Sequence, residues 1–121
     1  MTTDVELREA DNGSLAGMPN AEALEKYPSV FWSMLKPDEC YPNGESPNMF
    51  LVRIKSWFEA FLNVCKDAEG NVLVVTHGGV INIVYHLVKN MEWSNTKKSV
   101  PVGNCSMHVL DVERMEICEE K

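Results

Sequence analysis

The segment Val72-Leu73-Val74-Val75-Thr76-His77-Gly78-Gly79 constrains this chain most. Its first half is rich in β-branched residues and shows no apolar–polar alternation. A strand covered on both faces is expected, as in the centre of a parallel sheet. Val80, Ile81, Ile83, Val84, Leu87 and Val88 then recur at helical spacing and mark a buried helix ending near Asn90. Strand, glycine turn and helix in that order belong to α/β folds, and the turn falls where open α/β sheets bind ligands. Gly78 and Gly79 let the chain turn tightly and let an anion approach the backbone. The free N–H groups at the start of the helix favour phosphate or carboxylate. His77, when protonated, can donate a hydrogen bond to that anion. A histidine that simply caps a helix, with no ligand, fits the same tetrapeptide.

The rest of the chain is arranged around this unit. Residues 1–19 read as a short extended piece followed by a turn-rich loop, with Gly13, Gly17 and Pro19 as punctuation. A short helix is expected over Ala21 to Tyr27, capped by Asn20 and stopped by Pro28. Ser29 to Leu35 is expected to form a second short helix. The clearest helix follows a loop over residues 37–47. Ser46 is a good N-cap and Pro47 fits the first helical position, where its missing N–H costs nothing. Phe50, Ile54, Trp57, Phe58, Phe61, Leu62 and Cys65 make its apolar stripe, and Arg53, Lys55, Ser56 and Glu59 its wet side. Residues 91–103 read as a polar connection, and Ser106 to Val112 with Met115 to Glu119 as two strands of a hairpin. The order β-α-α-α-β-α-β-β predicts an α/β domain with an antiparallel edge at its C-terminal end.

Composition narrows the partners. With 11 basic residues against 18 acidic ones, the 121-residue chain has a formal charge of −7. That disfavours a nucleic-acid or anionic-membrane surface, which rests on clustered positive charge. A small anion remains compatible, because a few local donors outweigh net charge. No signal peptide or spanning segment is visible. Cys40, Cys65, Cys105 and Cys118 form no metal-ligand spacing, and Cys65 and Cys105 fall in apolar stretches. All four are expected to be reduced thiols of a cytoplasmic protein. His77, His86 and His108 form no compact ligand pattern, so no metal and no cofactor are expected.

Two further signals stand before the long helix. Leu7-Arg8-Glu9 is followed by Gly13 and Gly17, and a carboxyl at such a place can serve as a general acid once desolvated, while a solvated surface glutamate fits the same residues. Gly44-Glu45-Ser46-Pro47 opens the long helix, where Glu45 also fits plain helix-start chemistry. Taken in order, Leu-Arg-Glu-x-x-x-Gly-x-x-x-Gly at 7–17, Gly-Glu-Ser at 44–46 with Arg53 downstream, and Val-Val-Thr-His-Gly-Gly-Val at 74–80 resemble the histidine phosphatase, or phosphoglycerate-mutase-like, superfamily. Asn104 and Ser106 look similar to the family's segment after its last helix.

The resemblance implies a mostly parallel sheet flanked by helices, and transfer of a phosphoryl group from a phosphate ester to a histidine, then to water or a second hydroxyl. It implies His77 as the second core histidine, Glu9 as the acid protonating the leaving oxygen, and Glu45, Ser46 and Gly78 as substrate-binding residues. Trp32 and Tyr41 are expected to shape the mouth.

One departure is large. The family begins with a strand ending in Arg-His-Gly, whose histidine is the nucleophile, and a second arginine precedes Leu-Arg-Glu. This chain contains no Arg-His-Gly, and its arginines are 8, 53 and 114. The implied product is a single domain over residues 1–121, α/β, truncated at its N-terminus. It is inactive alone as a phosphatase or mutase. The run 72–75 would lack backbone partners on both sides, and pairing of two copies through such edges is expected to cover them. The chain then reads as the C-terminal part of a longer product, as a short dimerising protein without activity, or as the partner of a separate polypeptide carrying the front half. A non-catalytic binding or dimerisation module is the alternative function.

Overall fold

The computed structural model describes residues 2–27, 32–97 and 100–120. Three α-helices and one β-hairpin make up its regular structure: α1 (Asn20–Lys26), α2 (Pro47–Lys66), α3 (Gly78–Val88), β1 (Met107–Asp111) and β2 (Glu116–Glu120). Short 3-10 turns lie at Val5–Leu7, Gly13–Leu15 and Trp32–Met34.

α2 begins where its capping chemistry places it. The Ser46 hydroxyl accepts from the Met49 amide at 3.0 Å, and Pro47 occupies the first turn. Phe50, Ile54 and Phe58 lie one turn apart and are buried. Phe50 and Ile54 meet Val80 and Ile83 of α3 to form the core, around which Leu7, Ala10, Trp32 and Trp93 pack. Burying each of these four side chains stabilises the fold by about 1.5–3 kcal/mol. Lys55, Ser56 and Glu59 are exposed as expected, but Arg53 is not: it is 9% exposed and lies inside.

The hairpin matches the expected antiparallel edge. Leu110 pairs with Ile117 and Asp111 with Glu116, and the Asp111 carboxylate closes the turn by accepting from the Arg114 amide at 3.0 Å. β2 touches α3.

The N-terminal half differs more from expectation. The extended start is a 3-10 turn, because the Asp4 carboxylate accepts from the Glu6 amide and holds the backbone curled. α1 starts at Asn20 itself, with Pro19 at the cap position. Pro28 and residues 29–31 of the second short helix lie outside the described residues, and 32–34 form a 3-10 turn. The run 72–75 is extended, yet it pairs with no strand among the described residues. Its faces are open rather than covered: Leu73 and Val75 are each 82% exposed. β propensity disposes a segment to extend, but a ladder needs a neighbour that supplies the other half of each hydrogen bond. Cys105, expected in an apolar setting, is exposed, and all four cysteines are free thiols.

Candidate functional site

The start of α3 brings two of the expected residues to one place. The Thr76 hydroxyl donates to the Leu7 carbonyl at 2.8 Å, tying the run before α3 to the Leu7-Arg8-Glu9 segment. The His77 Nδ1 lies 3.3 Å from the same carbonyl; a carbonyl only accepts, so Nδ1 carries the proton in this contact. His77 takes the N-cap position of α3 with an extended backbone, and it is exposed. Two residues on, the Gly79 amide donates to Glu9 Oε2 at 3.1 Å, while Oε1 accepts from the Ala10 amide at 3.2 Å. A carboxylate therefore sits on the positive end of the helix, as the dipole and unpaired amides favour.

The two glycines differ in why they are needed. A Cβ at Gly78 would meet only the Val102 side chain, at 3.8 Å. A Cβ at Gly79 would run into the Glu9 carboxylate, 3.0 Å from its carbon and 3.1 Å from Oε2. Gly79 is the residue that lets Glu9 reach the helix end.

Glu45, Ser46 and Arg53 form the frame behind this contact. Arg53 Nε and Nη2 donate to the two Glu45 oxygens at 2.9 and 2.8 Å. Nη1 donates to the Glu6 and Arg8 carbonyls at 2.6 and 2.9 Å, and Nη2 also to the Glu9 carbonyl at 3.2 Å. All the donors of a guanidinium are thus used, and three of them hold the backbone of the segment that carries Glu9. Glu45 Oε1 also accepts from the Asp11 amide at 2.9 Å. Glu45 and Ser46 are both buried, with their side chains engaged by Arg53, the Asp11 amide and the Met49 amide. Arg53 lies inside, not on the expected wet side, because its partner sits eight residues back, across the helix start, where helical periodicity does not look.

This frame makes the fold acid-sensitive. Burial pushes the Glu45 carboxyl up, but the Arg53 hydrogen bond, the Asp11 amide and the Arg53 and Arg8 charges outweigh it and hold the group below the usual carboxylate range. The unfolded chain then binds this proton more readily than the folded one, so stability falls as pH drops. The contribution is complete above the ordinary glutamate value of about 4.3 and is lost as pH falls through the lower folded value. Urea midpoints are expected to hold level down to about pH 5 and to fall steeply below it. Glu45→Gln should flatten that fall; an equally steep fall in the variant would exclude Glu45 as its source.

An open cavity of about 430 Å³ lies beside Glu9, Gly78 and Gly79, with Trp32, Tyr41 and Trp93 in its wall. Trp32 and Tyr41 stack with ring centroids 5.8 Å apart. Burial pushes the Tyr41 phenol up, against an opposing Trp32 backbone contact, so it stays an O–H at neutral pH. Trp32 and Tyr41, expected to shape the mouth, both line this cavity, whereas His77 is not part of its wall. Asn82 and Lys97 also line it and were not foreseen. The available signal for Asn82 was its place as the one amide among Val80, Ile81, Ile83 and Val84.

The remaining histidines and arginines are engaged elsewhere. His86 Nδ1 donates to the Asn82 carbonyl within α3 at 2.8 Å. His108 lies between Tyr85 and Ser106, at 2.6 and 2.9 Å. The Ser106 hydroxyl donates to the Gly103 carbonyl at 2.7 Å, so it accepts from His108 Nε2, and Tyr85 donates to Nδ1. His108 therefore cannot take a proton from Ser106, and the three do not form a nucleophile with its base. Arg8 turns back to the Val5 carbonyl at 3.0 Å, and Arg114 stays in the hairpin turn beside Asp111. Among the described residues, no group of three or more histidine, cysteine or acidic side chains is placed to hold a metal ion. No helix of the described residues is long and apolar enough to cross a membrane.

The family model for the histidine phosphatase superfamily (branch 1) matches residues 1–118. No curated protein and no solved structure matches the chain. The matched span takes in the Leu7-Arg8-Glu9 segment, the α2 entrance and the Thr76-His77-Gly78-Gly79 turn. By that match, this chain belongs to the histidine phosphatase superfamily.

Proposed function

We propose that this single domain carries the acid-and-second-histidine part of a phosphomonoester hydrolase or phosphoryl-transfer site in the cytoplasm, and that it turns over no phosphate ester alone. The phosphoryl group rests on the Gly78 and Gly79 amides and on His77, and Glu9 protonates the leaving oxygen. Glu45 and Ser46 serve that substrate from behind, by fixing the backbone of the Glu9 segment and the start of α2. The observation that carries this reading is the Glu9 carboxylate already seated on the Gly79 amide at 3.1 Å: the helix end attracts an anion, and the acid is at hand. A phosphoryl group arriving there takes the place of the Glu9 carboxyl on the Gly79 amide and leaves that carboxyl beside the leaving oxygen, where a general acid is needed.

Inactivity follows from chemistry. Transfer needs a nucleophile and donors for the charge on the phosphoryl oxygens. Arg-His-Gly is absent from the sequence, and Arg53 is fully engaged by Glu45 and backbone carbonyls. Purified chain incubated with p-nitrophenyl phosphate at mildly acid and neutral pH is expected to release no nitrophenol. Turnover abolished by His77→Ala would contradict the reading.

A second reading, a non-catalytic dimerisation module, is favoured by the exposed Val72, Leu73 and Val75 beside unpaired backbone. It has two copies pairing along 72–75. Light scattering should then show a dimer that Leu73→Lys dissociates, and a monomer at all concentrations removes it.

A further inference from the structure

We propose that the cavity beside Glu9 receives the alcohol part of the phosphate ester, and that this part is a planar aromatic ring bearing an N–H or O–H donor. The inference rests on the phosphate seat at the start of α3 and extends it to a substrate class.

Asn82 supplies the first argument. It lies four residues after Gly78, on the same face of α3, and lines the cavity while being 7% exposed. Its Nδ2 reaches the Val100 carbonyl at 3.4 Å, a long contact, and its Oδ1 has no partner. Among the described residues it is the buried side-chain polar atom left without a hydrogen bond. Such an acceptor is destabilising while unpaired, and a turn of the Asn82 amide toward the cavity lets a donor held there satisfy it. Its sequence neighbours Val80, Ile81, Ile83 and Val84 are apolar, while the polar Tyr85 and His86 lie one turn on.

The walls supply the second. Trp32 and Trp93 are half-buried, with ring centroids 6.4 Å apart and planes tilted by 50°. Flat aromatic walls select a flat ring, and a volume of about 430 Å³ lies within the range of small-ligand pockets. Lys97 adds a positive charge to the same wall, in a chain whose formal charge is −7.

The test is calorimetric titration of the full chain with inorganic phosphate, phenyl phosphate, 4-aminophenyl phosphate, glucose 6-phosphate and 4-aminophenol. Phenyl phosphate is expected to bind about tenfold tighter than inorganic phosphate. 4-Aminophenyl phosphate should bind about fivefold tighter again. Asn82→Leu should erase the second gain and keep the first. If that variant does not fold, the Asn82 side-chain amide signal of the wild-type chain must shift with 4-aminophenyl phosphate and not with phenyl phosphate. Equal affinity for all the phosphates, or a preference for glucose 6-phosphate, overturns the aromatic subsite and leaves the phosphate seat standing. No binding of any phosphate overturns both. 4-Aminophenol binding as tightly as its phosphate removes the seat, and with it the assignment of the cavity to an ester.

Discussion

Arg53→Met is expected to destabilise the chain by about 3–5 kcal/mol, because it leaves a buried carboxylate without its partner. Methionine fills much of the same volume, so the loss is electrostatic rather than a packing defect. Glu45 would keep only the Asp11 amide, and the carbonyls of Glu6, Arg8 and Glu9 would lose their shared donor. The segment carrying Glu9 would come loose from α2, so the site fails with the fold. Lys55→Met, on the exposed side of the same helix, should change stability by no more than about 0.5 kcal/mol. Urea unfolding of the two variants beside wild type makes the comparison. An Arg53→Met cost as small as that of Lys55→Met would show that the guanidinium is not the clamp described.

Gly13→Ala is expected to cost about 2–4 kcal/mol, from a left-handed backbone and a collision with backbone atoms. Gly13 has φ +56°, and a Cβ there would run into the Pro42 carbonyl oxygen, with Gly44 N at 2.5 Å and Asn43 C at 2.6 Å. Those atoms cannot swing aside as a side chain can. They belong to a stitch between two loops, in which the Ser14 amide donates to the Pro42 carbonyl at 2.7 Å and Asn43 Nδ2 donates to the Ser14 hydroxyl at 2.9 Å. Gly17 separates the two causes: its φ is +74°, but nothing lies within 4 Å of an added Cβ. Gly17→Ala should therefore show the backbone penalty alone, about 1 kcal/mol. Thermal melts that rank the two variants equally would mean that the loops part easily, and the stitch would carry no weight.

What could be read in the sequence is what local chemistry decides. Ser46 and Pro47 announce the start of α2, its apolar stripe announces the buried face, and Gly78-Gly79 announces the turn into α3. The hairpin was legible because its strands pair with each other across a short turn. Distant partnerships were harder to read. Val72 to Val75 has the composition of a central strand, but composition cannot supply the neighbouring strand. Arg53 looks like a surface residue until Glu45 is seen folded back over the helix start. Asn82 could be noticed only as a polar residue out of place, and what it lines emerges only when Trp93, Val100 and Val102 are brought beside α3. Glu9 and His77 were legible as a pair only through the ordered motifs. The Leu7 carbonyl, touched by both Thr76 and His77, is the physical link between them.

The start of α3 is expected to seat a phosphate in competition with Glu9. Titrating isotope-labelled chain with millimolar inorganic phosphate, and following backbone amides and histidine rings by NMR, addresses it residue by residue. The Gly78 and Gly79 amides and the His77 ring should move together with one affinity, and Glu9→Gln should bind several-fold tighter because a competing negative charge has gone. Shifts confined to surface lysines, with the Gly79 amide unmoved and Glu9→Gln no different from wild type, would contradict it.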